Sequence, residues 1–125
     1  MAITPQPGPE VITGSTRLKS GTAQKMVLNM LSTSVMIKLG KVYGNLMVDV
    51  KATNEKLIER TVSIVRSTTR VSDAKAREVL ALCGYSAKTA IVMIKCNLNA
   101  EEAEKALINA NGHIARVISE KEGLK

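Results

Sequence analysis

Phenylalanine and tryptophan are missing from this sequence, and tyrosine occurs only as Tyr43 and Tyr85. Without large rings the core must be built from Ala, Val, Ile, Leu and Met, which suits close-packed helices. The same lack argues against nucleic-acid binding, the generic reading of a chain with net charge +7, because stacking platforms need aromatics. No run of five or six consecutive basic residues is present either. Histidine occurs once, as His113, and cysteine twice, as Cys83 and Cys96, so no zinc-type ligand set can be completed and no metal is expected. Both cysteines read as buried, reduced thiols of a cytoplasmic protein. There is no stretch of 18 apolar residues, so no membrane span is expected. Residues at the N-terminus lack the basic and apolar regions of a signal peptide.

What the sequence does hold is an aliphatic chain of 125 residues, 45% hydrophobic, enough for one average domain or for a small domain with part of another. Its positive charge is concentrated in front: residues 1–70 carry ten Lys/Arg against four Asp/Glu, residues 71–125 eight against seven. Pro5, Pro7 and Pro9 all fall in residues 1–14, which therefore read as extended chain leaving a sheet rather than as a central strand. A long helix is predicted from about Thr22 to Tyr43. Ala23, Met26, Val27, Met30, Leu31, Val35, Leu39 and Val42 recur on one face, Ser20 and Gly21 suit its cap, and Gly44-Asn45 suits its stop. Leu28, Met36 and Ile37 lie off that face, so this helix needs cover on more than one side. Residues 46–50 are short and partly alternating, and Thr53 or Asn54 then caps a second helix to about Thr68. Short helices follow, capped at Ser72, Ser86 and Asn99, with glycine stops at Gly84 and Gly112 and a last helix from His113 to about Lys121. Residues around Arg77–Gly84 and Lys105–Gly112 form a weak internal repeat at an offset of 28, which implies two helical hairpins in a compact bundle. Such a bundle serves either as a packing cap or as a protein-binding module.

The stretch richest in chemistry is Gly8-Pro9-Glu10-Val11-Ile12-Thr13-Gly14-Ser15-Thr16-Arg17-Leu18-Lys19-Ser20-Gly21-Thr22-Ala23-Gln24-Lys25. It offers hydroxyls at Thr13, Ser15, Thr16, Ser20 and Thr22 and cations at Arg17, Lys19 and Lys25, next to a helix N-terminus. Free amides at helix N-termini attract anions, and Arg or Lys adds charge-assisted bonds. A site for a phosphorylated or carboxylated small molecule fits this pattern. So does an ordinary capped helix start with solvated basic residues. A Walker loop is excluded, because the G-x-x-x-x-G-K-[ST] spacing is absent.

GPEVITGSTRLKSGTAQK closely resembles the signature shared by N-acetylmuramic acid 6-phosphate etherases and the glucokinase regulatory protein. The following MVLNMLSTSVMIKLGKVYGNLMVDVKATNEKL resembles the bacterial etherases specifically. AKTAIVMI and NANGHIARVI resemble that family's ubiquitin-associated-like helical tail. The resemblance runs from Gly8 onward. It implies an all-α chain: residues 1–44 as the closing part of a sugar-isomerase (SIS) α/β domain, 45–70 as a connector and helix, and 71–125 as a small helical bundle. It also implies a lyase chemistry without metal or organic cofactor, in which a carboxylate removes the proton beside the sugar carbonyl and the lactyl ether leaves, giving N-acetylglucosamine 6-phosphate and D-lactate. The family's catalytic glutamates have no counterpart here, so this chain is expected to be inactive alone. Glu10 belongs to the signature but is not assigned as the base, and Glu55 and Glu59 read as a solvated helix face. By the signature, Ser15, Thr16, Arg17 and Lys19 stand nearest the substrate or the subunit contact that shapes its pocket. A sugar phosphate and a homodimer partner are expected, nucleic acid and membrane are not. The alternatives are a non-catalytic sugar-phosphate-responsive regulator and a helical interaction module.

Overall fold

A computed structural model describes residues 2–14 and 18–123. The described residues form six helices and one two-stranded hairpin: α1 (Lys19–Lys38), β1 (Val42–Tyr43), β2 (Leu46–Met47), α2 (Glu55–Thr69), α3 (Asp73–Leu82), α4 (Ala87–Cys96), α5 (Ala100–Asn109) and α6 (Ile114–Lys121). They divide into two compact units, Met1–Met36 and Ile37–Lys125.

In the first unit, an extended segment with the three prolines leads to α1, a helix about 30 Å long. The helix starts three residues before the predicted Thr22 because its first turn is capped from outside, as described below. Ser20 and Gly21, expected at the cap, lie inside it. No residue of α1 is buried, and Met26, Leu28, Met30, Leu31 and Val35 are each about half exposed.

α1 also stops earlier than predicted, at Lys38 rather than Tyr43. Gly40 takes a left-handed φ of +66° and its amide donates to the Ile37 carbonyl at 3.0 Å. A Cβ there would lie 2.8 Å from the Gly112 carbonyl carbon and oxygen, so close backbone packing selects this glycine as the stop. The expected stop, Gly44-Asn45, instead turns the hairpin, with Val42 opposite Met47 and Tyr43 opposite Leu46. A lone glycine at φ +60° in the first turn position is the pattern of a two-residue hairpin loop.

The second unit is built around α4, which packs against α2, α3, α5 and α6. Its Ala90, Ile91 and Val92 are fully buried, together with Val65 of α2, Ala76 and Leu80 of α3 and Ala103 of α5. Val48, just past β2, joins the same core and fastens the hairpin to it. The caps fall where the sequence places them. Asn54 accepts from the Leu57 amide, Ser72 from Lys75 and Ser86 from Thr89, while Asn99 and Glu102 form a reciprocal capping box. The buried hydroxyl of Thr61 donates to the Leu57 carbonyl at 2.8 Å, which satisfies its one donor.

The caps of the four short helices recur at an offset of 27 residues, where the sequence alignment expected 28. The step from the Ser72 cap to the Asn99 cap, and from the Ser86 cap to the His113 cap, is 27. Each hairpin turns on two consecutive left-handed residues, Gly84-Tyr85 in the first and Asn111-Gly112 in the second. Tyr85 donates to the Leu80 carbonyl at 2.9 Å, and Gly112 to that of Leu107 at 2.7 Å. The glycine occupies the first left-handed position in one turn and the second in the other, so aligning glycine on glycine slips the repeat by one.

Candidate functional site

Two of the first-turn amides of α1 are already occupied. Glu10 Oε1 accepts from the backbone N–H of Lys19 at 2.8 Å and of Ser20 at 3.2 Å. α1 has no acidic residue in its own first turn. A carboxylate at this position satisfies orphan donors and meets the positive end of the helix dipole. Lys19 completes the closure, its Nζ donating to the Pro9 carbonyl at 2.9 Å. The second Glu10 oxygen, Oε2, is shielded from solvent and has no hydrogen-bond partner among the described residues.

Of the four residues singled out in the sequence, Lys19 is thus placed beside Glu10 and Pro9, exposed and at the helix start. Ser15, Thr16 and Arg17 lie outside the described residues. A concavity of about 330 Å³ borders the same place, lined by Gly8, Pro9, Glu10, Ile12, Thr13, Gly14 and Ser20. An apolar concavity of about 210 Å³ lies between Ile3, Pro5 and Pro7 and the Ala23, Val27 and Leu28 side of α1. The role of Glu10 is what sequence reasoning missed. The available signal was the lack of any acidic residue in the helix's own first turn.

Several charged groups of the second unit are tied up in pairs. Lys41 Nζ sits 3.0 Å from Asp49 Oδ2, and Lys88 Nζ 3.7 Å from Asp49 Oδ1. The hydrogen bond from Lys41, helped by the charge of Lys88, holds the Asp49 carboxyl below the usual aspartate range. Arg77 grips Glu59 with both terminal nitrogens, at 2.9 and 2.6 Å, and Asp73 with Nε at 2.7 Å. Those bonds lower the carboxyls of Glu59 and Asp73 and raise the guanidinium further. Glu59 is therefore an ion-pair partner on an exposed face. No group of three or more His, Cys, Asp or Glu among the described residues is arranged to hold a metal. Cys83 is buried and Cys96 half-buried, both free, and burial pushes both thiols up. A raised thiol is a poor nucleophile at neutral pH. His113 Nε2 lies 3.1 Å from the Lys38 carbonyl, a structural tie at the end of α1. No single helix among the described residues is long and apolar enough to cross a membrane.

Comparison with known proteins gives this geometry its context. Residues 44–90 match the family described as the C-terminal lid domain of glucokinase regulatory protein. Over 119 residues the chain is 60% identical to an N-acetylmuramic acid 6-phosphate etherase of Klebsiella aerogenes, covering 95% of this chain and 40% of that protein. The corresponding etherase of Clostridium beijerinckii is 58% identical over 120 residues, 96% of this chain and 40% of the relative. That of Escherichia coli strain SMS-3-5 is 58% identical over 117 residues, 94% and 39%. The chain belongs to the N-acetylmuramic acid 6-phosphate etherase family. It matches the C-terminal part of these etherases and spans about 40% of the length of the curated relatives. The signature GPEVITGSTRLKSGTAQK, with the Glu10 cap and Lys19, lies inside the stretch that the resemblance covers.

Proposed function

We propose that this chain is the C-terminal part of a cytoplasmic etherase that cleaves the lactyl ether of N-acetylmuramic acid 6-phosphate, releasing N-acetylglucosamine 6-phosphate and D-lactate. The observation that carries this reading is identity of 58–60% to proteins of that name across nearly the whole chain. In this reading residues 1–44 close a SIS domain, 45–70 connect, and 71–125 form a ubiquitin-associated-like bundle. Ser15, Thr16, Arg17 and Lys19 face the sugar phosphate, with hydroxyls and cations suited to an anionic ligand. The chain pairs as a homodimer, which gives the half-exposed apolar residues of α1 a place to bury.

The elimination needs two positioned carboxylates of separated protonation state. In this chain Glu10 caps a helix, Asp49 is bound by lysines, and Glu59 and Asp73 are held by Arg77. In this reading the acid–base pair comes from residues other than these, and the chain alone releases no D-lactate. The match of residues 44–90 to a regulatory protein's lid favours a second reading, a non-catalytic sugar-phosphate-binding regulator. Etherase-like identity on both sides of that segment argues for the first.

Titration of the isotopically labelled chain with N-acetylglucosamine 6-phosphate, followed by NMR, tests the shared element of both readings. Shifts are expected at residues 15–20, and Arg17→Ala with Lys19→Ala should weaken them at least about tenfold. A ligand response confined to other residues, or none at all, overturns the assignment. Release of D-lactate from the etherase substrate by this chain would show that the acid–base groups are misplaced.

A further inference from the structure

We propose that Glu10 is a positioning residue: its carboxylate acts as a built-in anion at the N-terminus of α1, tying Glu10 to Lys19 and barring a ligand's phosphate from the Lys19 and Ser20 amides. A helix N-terminus with free amides is a ready anion site. Here the amides of Lys19 and Ser20 both donate to one carboxylate oxygen, at 2.8 and 3.2 Å. The donor and acceptor positions are nine and ten residues apart, well beyond the reach of an ordinary N-cap, whose side chain bonds two or three residues on. Lys19 Nζ on the Pro9 carbonyl makes a second closure one residue away. Three bonds, all donated by Lys19 and Ser20 to Pro9 and Glu10, thus hold these two pairs of residues against each other. α1 supplies no acid of its own to this turn, and Glu10 is the only carboxylate before Asp49. No other side chain of the first unit can supply that charge.

One consequence concerns the ligand and rests on the functional reading above: its phosphate is met by side chains, not by the amides of Lys19 and Ser20. The cap itself does not depend on that reading. Amide exchange of the full 125-residue chain, read by NMR at Lys19 and Ser20, tests it. Glu10→Ala should speed exchange at these two amides by about tenfold, the scale of losing a charge-assisted hydrogen bond, and leave the Leu57 amide under the Asn54 cap unchanged. Glu10→Gln, which keeps an acceptor oxygen but no charge, should fall between. Millimolar formate should restore protection in Glu10→Ala and not affect the parent, a response that a merely structural residue would not give. Inorganic phosphate should shift the Lys19 and Ser20 amides several-fold more in Glu10→Ala than in the parent. Unchanged exchange in Glu10→Ala, no rescue by formate, or an equal phosphate response in both proteins each overturns the proposal. If Glu10→Ala unravels α1 altogether, Glu10→Gln with and without formate carries the test. Failure of N-acetylglucosamine 6-phosphate to bind the parent would sink the functional reading and leave the cap standing.

Discussion

The two units of this molecule use the same aliphatic alphabet to opposite ends. In Ile37–Lys125, helices of eight to fifteen residues bury Val65, Ala76, Leu80, Ile91 and Ala103 almost completely. In Met1–Met36, the longest helix of the chain buries nothing, although Met26, Leu28, Met30, Leu31 and Val35 make it at least as apolar. Burial, not composition, separates the two units, because apolar area contributes only when removed from water. The apolar residues of α1 are spread around its axis, whereas those of α2 and α6 gather on one face.

The sharpest way to break that contrast is to cut one leucine from each unit. Leu80→Ala removes a fully buried side chain from the bundle and should cost about 2–5 kcal/mol in urea unfolding followed by circular dichroism. Leu31→Asp changes a residue 48% exposed and should leave the same transition within about 0.5 kcal/mol. If α1 pairs with a second copy, Leu31→Asp should also abolish concentration-dependent sedimentation. Equal destabilisation by the two variants would dissolve the distinction between the units.

A smaller effect sharpens the account of the turns. Gly40→Ala forces a side chain into the left-handed region with a Cβ 2.8 Å from the Gly112 backbone, and should cost more than about 1 kcal/mol. Gly84→Asn should be close to neutral. Its φ is +59°, nothing lies within 4 Å of the added Cβ, and the second hairpin already places Asn111 at the corresponding position. Thermal melts of the two variants decide this, and a Gly84→Asn loss as large as that of Gly40→Ala would reject the 27-residue equivalence of the hairpins.

These same turns show how far the sequence could be read. Caps were legible because Asn54, Ser72, Ser86 and Asn99 act on amides three residues away. Three other features were not. The end of α1 depends on Gly112, seventy-two residues beyond Gly40, and two equally plausible glycine stops lay within five residues of each other. The start of α1 depends on Glu10, nine residues back, a span that no local capping rule covers. The repeat offset depends on which of two left-handed positions holds the glycine, and composition leaves that open. In each case a contact remote along the chain decided between local options of similar cost. The anion-site reading of Ser15, Thr16, Arg17 and Lys19 came from the signature, and of these the structure describes only Lys19.

Acid titration yields the smallest effect and separates the units by charge. The carboxyls held low are Asp49, Glu59 and Asp73, all in the bundle. A carboxyl whose pKa is lower folded than unfolded stabilises the fold above the unfolded value, and that contribution is lost as pH falls through the folded one. Bundle stability should therefore decline on acidification below about pH 4, where free carboxyls begin to protonate. Asp49→Asn should flatten part of the decline by removing the pair with Lys41 and Lys88, while Arg77→Met should flatten another part by releasing Glu59 and leaving Asp73 with Arg66 alone. Both effects should be modest, since Asp49 is 41% exposed and the Arg77 network faces solvent. Urea midpoints measured across the acid range for the parent and the two variants check the sign. A decline as steep in both variants as in the parent would mean that these pairs do not set the acid response, and that other carboxylates of the bundle carry it.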